Sequence, residues 1–224
     1  MSYQYNKIDP VKIEDCIQAV LISFNIELEK DELNENSTLG ELYKLVEEKL
    51  ATRKIDDSCT TQQAFYKLRH SIAQTLGISE KEITPSTSLE RLFPRYNRRQ
   101  QIAMIEKDAG ISKKFLKMKN WVAVALGIGI LASVILVFFF WKEALMTMGV
   151  LVAAFLVLSK FRNELRYKSL GEVVADLALF DYTAFRRDPD TFNLTEIRKS
   201  INEIFIRKVA VKPEWLKPDL KLFQ

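Results

Sequence analysis

Residues 121–159 read WVAVALGIGILASVILVFFFWKEALMTMGVLVAAFLVLS, and 31 of these 39 residues are hydrophobic. Lys142 and Glu143 are the only charged residues among them. As a helix, the uncharged run 121–140 would be about 30 Å long, which is one hydrocarbon thickness. The run 144–159 would reach roughly 24 Å, which is short for a second pass. We therefore predict a transmembrane hairpin over residues 113–166, with helices at 121–140 and 144–159.

The charges that flank this stretch predict its orientation in the membrane. Four lysines precede the two predicted helices and four basic residues follow them, namely Lys113, Lys114, Lys117, Lys119, Lys160, Arg162, Arg166 and Lys168. Because positive residues stay on the cytoplasmic side, we expect a multi-pass protein of the cytoplasmic (inner) membrane with both termini in the cytoplasm. The N-terminus, MSYQYNKIDP, has no signal-peptide pattern. A re-entrant hairpin, or a hairpin buried in a soluble core, remains an alternative.

The sequence as a whole has the composition of a globular protein. The 224 residues are 48% hydrophobic and 28% charged, which excludes disordered, collagen-like and disulfide-scaffold classes. Residues 1–60 carry a net charge of −6 and residues 61–120 a net charge of +7. A basic segment beside a membrane helix is typical of topology signals or anionic lipid contacts. No aromatic-interleaved basic stripe is present, so we expect no nucleic acid partner.

Helical periodicity dominates both flanks of the hairpin. Apolar residues form a one-sided stripe over 13–24, and the same spacing recurs over 64–76 and 197–209. Capping-box spacings at Thr38, Thr60, Ser169 and Asn193 predict helix starts. Alternating strand patterns are absent from the sequence. The predicted fold class is therefore all-α, with two small helical bundles and the hairpin.

A short motif occurs twice. Thr38-Leu39-Gly40-Glu41-Leu42 recurs as Ser169-Leu170-Gly171-Glu172-Val173. Roughly 20 residues after each comes another predicted helix, followed by a proline-containing loop at Ile83-Thr84-Pro85 or Leu216-Lys217-Pro218. These loops lead to Leu92-Phe93 and Leu222-Phe223. The sequence thus contains two copies of one helical unit, interleaved with the hairpin.

The order and spacing of these motifs resemble the acyl carrier protein family. Phe24-Asn25-Ile26 lies before Ser37-Thr38-Leu39-Gly40-Glu41 at the family's spacing, and Ala109-Gly110-Ile111 is similar to the family's second-helix end. The resemblance implies a circularly permuted domain formed by residues 1–58 with 188–224. It also implies a second domain formed by residues 59–112 with 167–182, into which the hairpin is inserted.

The resemblance does not extend to the prosthetic group. The family attaches phosphopantetheine to a serine at the head of its second helix, and the equivalent positions here are Pro10 and Arg95. Neither side chain carries a hydroxyl group. We therefore expect no phosphopantetheine and no other cofactor.

The basic run Arg91, Arg95, Arg98 and Arg99 is the candidate docking site. Guanidinium groups near a helix start suit a carboxylate or a phosphate. Three interpretations stay open: docking of an acidic partner or anionic lipid, pairing with acidic residues 27–35 of the same chain, and a solvated basic face that only sets topology.

No motif of enzyme chemistry is present. His70 is the only histidine, Cys16 and Cys59 fit neither a metal pair nor a redox motif, and no glycine-rich phosphate loop occurs. We therefore expect no catalytic residues, no metal and no enzyme activity. The sequence favours a membrane-anchored adaptor or scaffold that binds a protein partner or another copy of itself. The alternatives are an accessory subunit of acyl or lipid metabolism that binds an acidic acyl carrier protein, and a structural subunit of an oligomeric membrane assembly.

Overall fold

The computed structural model describes residues 10–29, 32–111, 115–117, 119–136, 141–159 and 163–223. Most of these residues are helical, which confirms the all-α prediction. The chain forms two compact units, one of residues 1–70 with 171–224 and one of residues 71–170. The former is called the terminal unit below and the latter the inserted unit. Each is described by itself.

The helices and strands follow one another in a simple order. The helices are α1 (Pro10–Phe24), α2 (Leu39–Leu50), α3 (Thr60–Leu76), α4 (Leu89–Leu92), α5 (Arg98–Asp108), α6 (Asn120–Leu136), α7 (Trp141–Ser159), α8 (Leu170–Phe180), α9 (Tyr182–Phe185) and α10 (Leu194–Val209). In the part of the chain that the structure describes, four two-residue strands accompany them: β1 (Lys54–Ile55), β2 (Leu116–Lys117), β3 (Glu164–Leu165) and β4 (Thr191–Phe192). Strand β1 pairs with β4 in parallel, and β2 pairs with β3 antiparallel.

The core of the terminal unit lies between α1, α2 and α10. The apolar stripes predicted over 13–24 and 197–209 face this core, because residues three and four apart share one side of a helix. Residues with no exposed surface include Val20, Phe24, Leu42, Ile201 and Leu222. Helices from both ends of the chain therefore build one core.

The C-terminal segment is hydrogen-bonded to the start of α2. The Leu222 amide donates to the Ser37 carbonyl at 2.8 Å, and the Leu39 amide donates to the Leu220 carbonyl at 2.8 Å. Gly40 permits this close approach, because a Cβ atom at that position would lie 2.9 Å from the Pro218 carbonyl oxygen. The first copy of the repeated motif thus forms backbone hydrogen bonds with the C-terminal segment.

The inserted unit contains the same bonding pattern. The Leu89 amide donates to the Lys168 carbonyl at 3.0 Å, and the Leu170 amide donates to the Thr87 carbonyl at 3.0 Å. Thr87 and Leu89 lie 133 positions before Leu220 and Leu222. Lys168 and Leu170 lie 131 positions after Ser37 and Leu39. The sequence repeat is therefore also a repeat of backbone pairing.

The helices that the repeat relates end in matching ways. Asn25 and Gly110, which follow α1 and α5, have φ angles of 50° and 68°, and Gly77 and Ala210, which follow α3 and α10, have φ angles of 65° and 56°. A residue in this left-handed region commonly ends a helix. The matching positions lie 85 residues apart for the first pair and 133 apart for the second.

The predicted helix caps are partly confirmed. Thr38 forms the full capping box with Glu41. The prediction of a box at Thr60 and Gln63 is wrong, since α3 begins at Thr60 itself and the Glu196 carboxylate accepts from the Thr60 hydroxyl at 2.6 Å. Asn193 caps α10 by accepting from the Thr195 amide at 3.0 Å. The Glu196 side chain binds Thr60 instead of the Asn193 backbone amide, so a long-range contact replaces the capping box predicted between Asn193 and Glu196.

Helices α6 and α7 pack against one another as the predicted hairpin, but with different bounds. Helix α7 begins at Trp141, so Lys142 lies in its first turn and not in the connecting tip. Residues 137–140, which were predicted to end the first helix, lie outside the described residues. Among the helices that the structure describes, none combines the length and the hydropathy required to cross a membrane.

Candidate functional site

The four arginines of the basic run occupy different environments. Arg91 lies in α4 and is exposed, while Arg95 lies in the turn that follows α4. Arg98 and Arg99 are the first two residues of α5, and Arg99 is exposed. In contrast, the side chain of Arg98 has no exposed surface. The run is therefore not one continuous basic face.

Arg98 is held by contacts within the inserted unit. Its Nε donates to the Phe93 carbonyl at 2.8 Å, and one terminal nitrogen donates to the Asn163 carbonyl at 2.9 Å. The other terminal nitrogen lies 2.7 Å from the Glu90 carboxylate. A buried charge is tolerated only when it is paired and hydrogen-bonded in this way. An external partner could reach this guanidinium only by breaking these contacts.

Arg95 contributes to the same cluster from the surface. Its guanidinium lies 3.2 Å from Glu164 and 3.9 Å from Glu90, and its side chain remains 61% exposed. The Asn163 side-chain amide donates to the Arg95 carbonyl at 3.1 Å. We call Glu90, Arg95, Arg98, Asn163 and Glu164 the hairpin-base cluster, because Asn163 and Glu164 lie four and five residues after the end of α7.

A strand pair also joins the two ends of the hairpin. Leu116 of β2 faces Leu165 of β3, and the Arg166 amide donates to the Phe115 carbonyl at 2.9 Å. The Phe115 ring is 1% exposed and makes an edge contact with Tyr167 at 6.4 Å. The entry and the exit of the hairpin are thus fixed to each other and, through the hairpin-base cluster, to α4 and α5.

The acidic residues considered as partners for the arginines have a different role. The Lys49 ammonium lies 2.7 Å from Glu32 and 3.3 Å from Glu29, all within the terminal unit. The hydrogen bond from Lys49, followed by the hydrogen bond that the Glu29 backbone amide donates to the Glu32 carboxylate, lowers the pKa of Glu32. Asp31, which belongs to the same acidic segment, lies outside the described residues.

The terminal unit contains a second buried arginine that periodicity and motifs did not reveal. Arg186 follows α9, and its side chain has no exposed surface. Its Nε donates to the Thr191 hydroxyl at 2.9 Å, and one terminal nitrogen donates to the Thr60 hydroxyl at 2.9 Å. The other terminal nitrogen lies 3.0 Å from the Asp56 carboxylate. This arginine therefore connects α9, β4 and the segment that precedes α3.

Two titratable neighbours of Arg186 have shifted pKa values. Burial raises the pKa of Tyr182, whose ring lies 5.7 Å from the guanidinium carbon. Hydrogen bonds from the Ser58 side chain and amide, with a smaller contribution from Arg186, lower the pKa of Asp56. Tyr182 consequently stays neutral and Asp56 stays ionised near neutral pH, as a network with a buried cation requires. The sequence offers no signal for this network, because its members are up to 135 residues apart.

The outer surface of the hairpin is apolar. Ile128 and Leu131 of α6 are 64% and 63% exposed, and Met146 and Val150 of α7 are 71% and 64% exposed. Between the helices, Gly129 packs closely on Leu151, and the buried Ser133 hydroxyl donates to the Gly129 carbonyl at 2.9 Å. The polar atom is satisfied inside the helix pair, while apolar side chains face outward.

The residues considered for catalysis or metal binding are dispersed. His70 is exposed on α3, Cys16 is buried, and Cys59 is exposed before α3. Burial raises the pKa of Cys16 to about 11, so its thiol is protonated near neutral pH. Within the described ranges, no group of three or more His, Cys, Asp or Glu residues could hold a metal ion.

The positions that the carrier-protein resemblance assigns to the prosthetic group also differ in structure. Pro10 is the first residue of α1, whereas Arg95 lies in the turn before α5. Both positions lie 15 residues before their matching left-handed residues, Asn25 and Gly110. No protein-family model matches this sequence, and no curated protein or solved structure is significantly similar to it.

Proposed function

We propose that this protein is a non-catalytic adaptor that is anchored in a membrane by the hairpin of α6 and α7. The observation that carries the proposal is the apolar outer surface of both helices. Exposing this much contiguous apolar surface to water is unfavourable, at about 25 cal/mol per Å², whereas lipid chains would cover it. Exposed basic residues at the hairpin base, among them Lys117, Lys119 and Arg166, favour a cytoplasmic location for this end.

The hairpin-base cluster supports an anchoring role. An adaptor transmits the position of its anchor only when the two are firmly connected. Here the buried Arg98 and the strand pair β2–β3 connect the hairpin to α4 and α5. The hairpin interior contains Ser133 as a buried polar residue and no buried ionisable group among the described residues. Such an interior favours an anchor over a transport pathway.

The remaining parts of the protein would then serve as a docking scaffold. We infer that both predicted domains, residues 1–58 with 188–224 and residues 59–112 with 167–182, are carrier-protein-like folds without a prosthetic arm. The repeated backbone pairing supports this view, as do Pro10 and Arg95 at the attachment position. Binding of an acidic acyl carrier protein, and assembly into a membrane oligomer, remain the alternative functions. Since Arg98 is buried, docking would rely on the exposed arginines of the run, of which Arg91 lies on α4 and Arg99 on α5.

Charges on the outer surface of the hairpin are expected to abolish membrane association. An arginine at the centre of a membrane helix costs about 2.5–3.5 kcal/mol. The double variant Leu131→Arg, Val150→Arg should therefore leave the membrane fraction in vesicle flotation and alkaline carbonate extraction. The matched control is Met104→Arg, at a 52% exposed position of α5 outside the hairpin. Retention of the double variant in floated vesicles after carbonate treatment would contradict the proposal.

A labelling arm of this experiment separates a spanning hairpin from a re-entrant one. In a Cys16→Ala, Cys59→Ser background, single cysteines replace Lys142 near the tip or Ser58 in the terminal unit. An impermeant maleimide labels the two positions from opposite sides of a sealed vesicle if the hairpin spans the membrane. Labelling of both positions from one side indicates re-entry.

Charge reversal at the two exposed arginines is expected to weaken docking. Chemical cross-linking in native membranes should give a defined adduct with the unaltered protein, identified by mass spectrometry. The double variant Arg91→Glu, Arg99→Glu should reduce that adduct at least about fivefold, since like-charge contacts at an interface are strongly unfavourable. Lys44→Glu, Lys199→Glu is the control, with the same change in net charge at exposed positions of the terminal unit. Equal adduct yields from the two double variants would contradict docking through the arginines.

A further inference from the structure

The terminal unit contains a half-open cavity of about 530 Å³ beside the start of α3. One wall is the first turns of α3 with the segment before it, including Cys59, Tyr66 and Lys67, and the opposite wall is the end of α9 with Arg186 and Arg187. Volumes of about 300–1,000 Å³ are typical of small-molecule sites. The cavity lies entirely within one unit and takes no part in the anchoring or docking described above.

Among the described residues, those that line this cavity carry more positive than negative charge. Arg186 is neutralised by Asp56 at 3.0 Å and uses its donors within the protein. Lys67 and Arg187 also line the cavity, and no carboxylate of the described residues pairs with either of them. The cavity therefore has an excess of positive charge in two exposed side chains.

Both cations retain hydrogen-bond donors for a ligand. The Lys67 ammonium donates to the Ala184 carbonyl at 3.2 Å and lies 5.1 Å from the centre of the Phe185 ring, which positions it and leaves other N–H groups available. The Arg187 backbone amide donates a hydrogen bond to the Gln63 side-chain oxygen, which holds the backbone of Arg187 against α3. An arginine fork and a lysine point charge together suit the three oxygens of a phosphate monoester.

The cavity also offers a surface for the organic part of such a ligand. Tyr66 is 48% exposed and lines the same wall as Lys67. A half-exposed aromatic ring next to two cations favours a ligand with a planar or apolar body and an anionic head. We propose that this cavity binds a small organic phosphate monoester, with Lys67 and Arg187 contacting the phosphate and Tyr66 contacting the organic group.

Cys59 provides a direct test, because it lines the cavity and is exposed, whereas Cys16 is buried. The full-length protein in nanodiscs is alkylated with iodoacetamide, and the modification rate is followed by intact mass. Phenyl phosphate should slow alkylation of Cys59 at least threefold in a saturable manner. Inorganic phosphate, which lacks the aromatic group, should require a higher concentration for the same protection.

Variants assign the protection to the two cations. In Lys67→Gln, Arg187→Gln the ratio of the rates with and without phenyl phosphate should fall to about one, while the circular dichroism spectrum stays unchanged. The control Lys44→Gln, Lys199→Gln carries the same net charge and should retain protection. Absence of saturable protection in the unaltered protein, protection that survives in the cavity variant, or equal loss in the control would each overturn the proposal.

Discussion

Replacing Arg186 by methionine is expected to destabilise the terminal unit by about 2–3 kcal/mol, because the buried oxygens of Thr60 and Thr191 lose their donor while Asp56, which is 40% exposed, can be hydrated. The Arg186 guanidinium donates to the hydroxyl oxygens of Thr60 and Thr191, each at 2.9 Å. Methionine fills a similar space but has no hydrogen-bond donor. Hydrogen exchange of α2 and α10 in the full-length protein measures the effect. Faster exchange in these helices by a factor of about 30 or more is the expected result.

The neighbouring residue supplies the control for this prediction. Arg187 is exposed, so Arg187→Met should change the free energy of opening, as derived from the same exchange rates, by less than about 0.5 kcal/mol.

The pH dependence of the stability of the terminal unit gives a second readout for the Arg186 network. The folded-state pKa of Asp56 is lowered, so the ionised carboxylate stabilises the folded unit fully above the ordinary aspartate pKa of about 3.9. This stabilisation is lost as the pH falls from there through the folded-state pKa. Exchange that is unchanged by Arg186→Met at pH 7 would show that the network does not stabilise the unit.

Replacing Arg98 by methionine is expected to destabilise the hairpin base by about 2–3 kcal/mol, because the buried carbonyl of Phe93 and the partly buried carbonyl of Asn163 lose their donor. The Glu90 carboxylate, which is 61% exposed, can be hydrated and adds less to the cost. Hydrogen exchange over residues 98–108 and 115–117 should accelerate by a factor of about 30 or more, while α2 and α10 stay unchanged.

A nearby exposed residue separates burial from charge. Arg91→Met removes the same charge from α4 without removing a buried donor, and it should leave exchange at the hairpin base within about 0.5 kcal/mol of the unaltered protein. If Arg98→Met and Arg91→Met behave alike, the contacts of Arg98 do not stabilise the hairpin base. Membrane flotation of Arg98→Met should remain normal, since the apolar surface of the hairpin is intact.

The two buried arginines illustrate where sequence reasoning about this protein reaches its limit. The sequence placed Arg98 in a candidate docking run with three other arginines, and nothing in its neighbours distinguishes it from Arg99. The structure shows that only Arg98 is enclosed, since Asn163 and Glu90 are within reach of its guanidinium. The sequence does not distinguish Arg186 from the adjacent Arg187, because most of the residues that enclose Arg186 are distant in sequence.

Local patterns determined the helices, the hairpin and the two-fold repeat. Apolar spacing depends on neighbours three or four residues away, and the Thr38 cap depends on Glu41, so these features could be inferred from short stretches of sequence. Tertiary structure alone decided the rest. The contact of Glu196 with Thr60, the burial of Arg98 and Arg186, and the cavity beside Lys67 and Arg187 all join distant segments. Such contacts depend on how the core packs, and packing is a property of the folded chain that no local pattern contains.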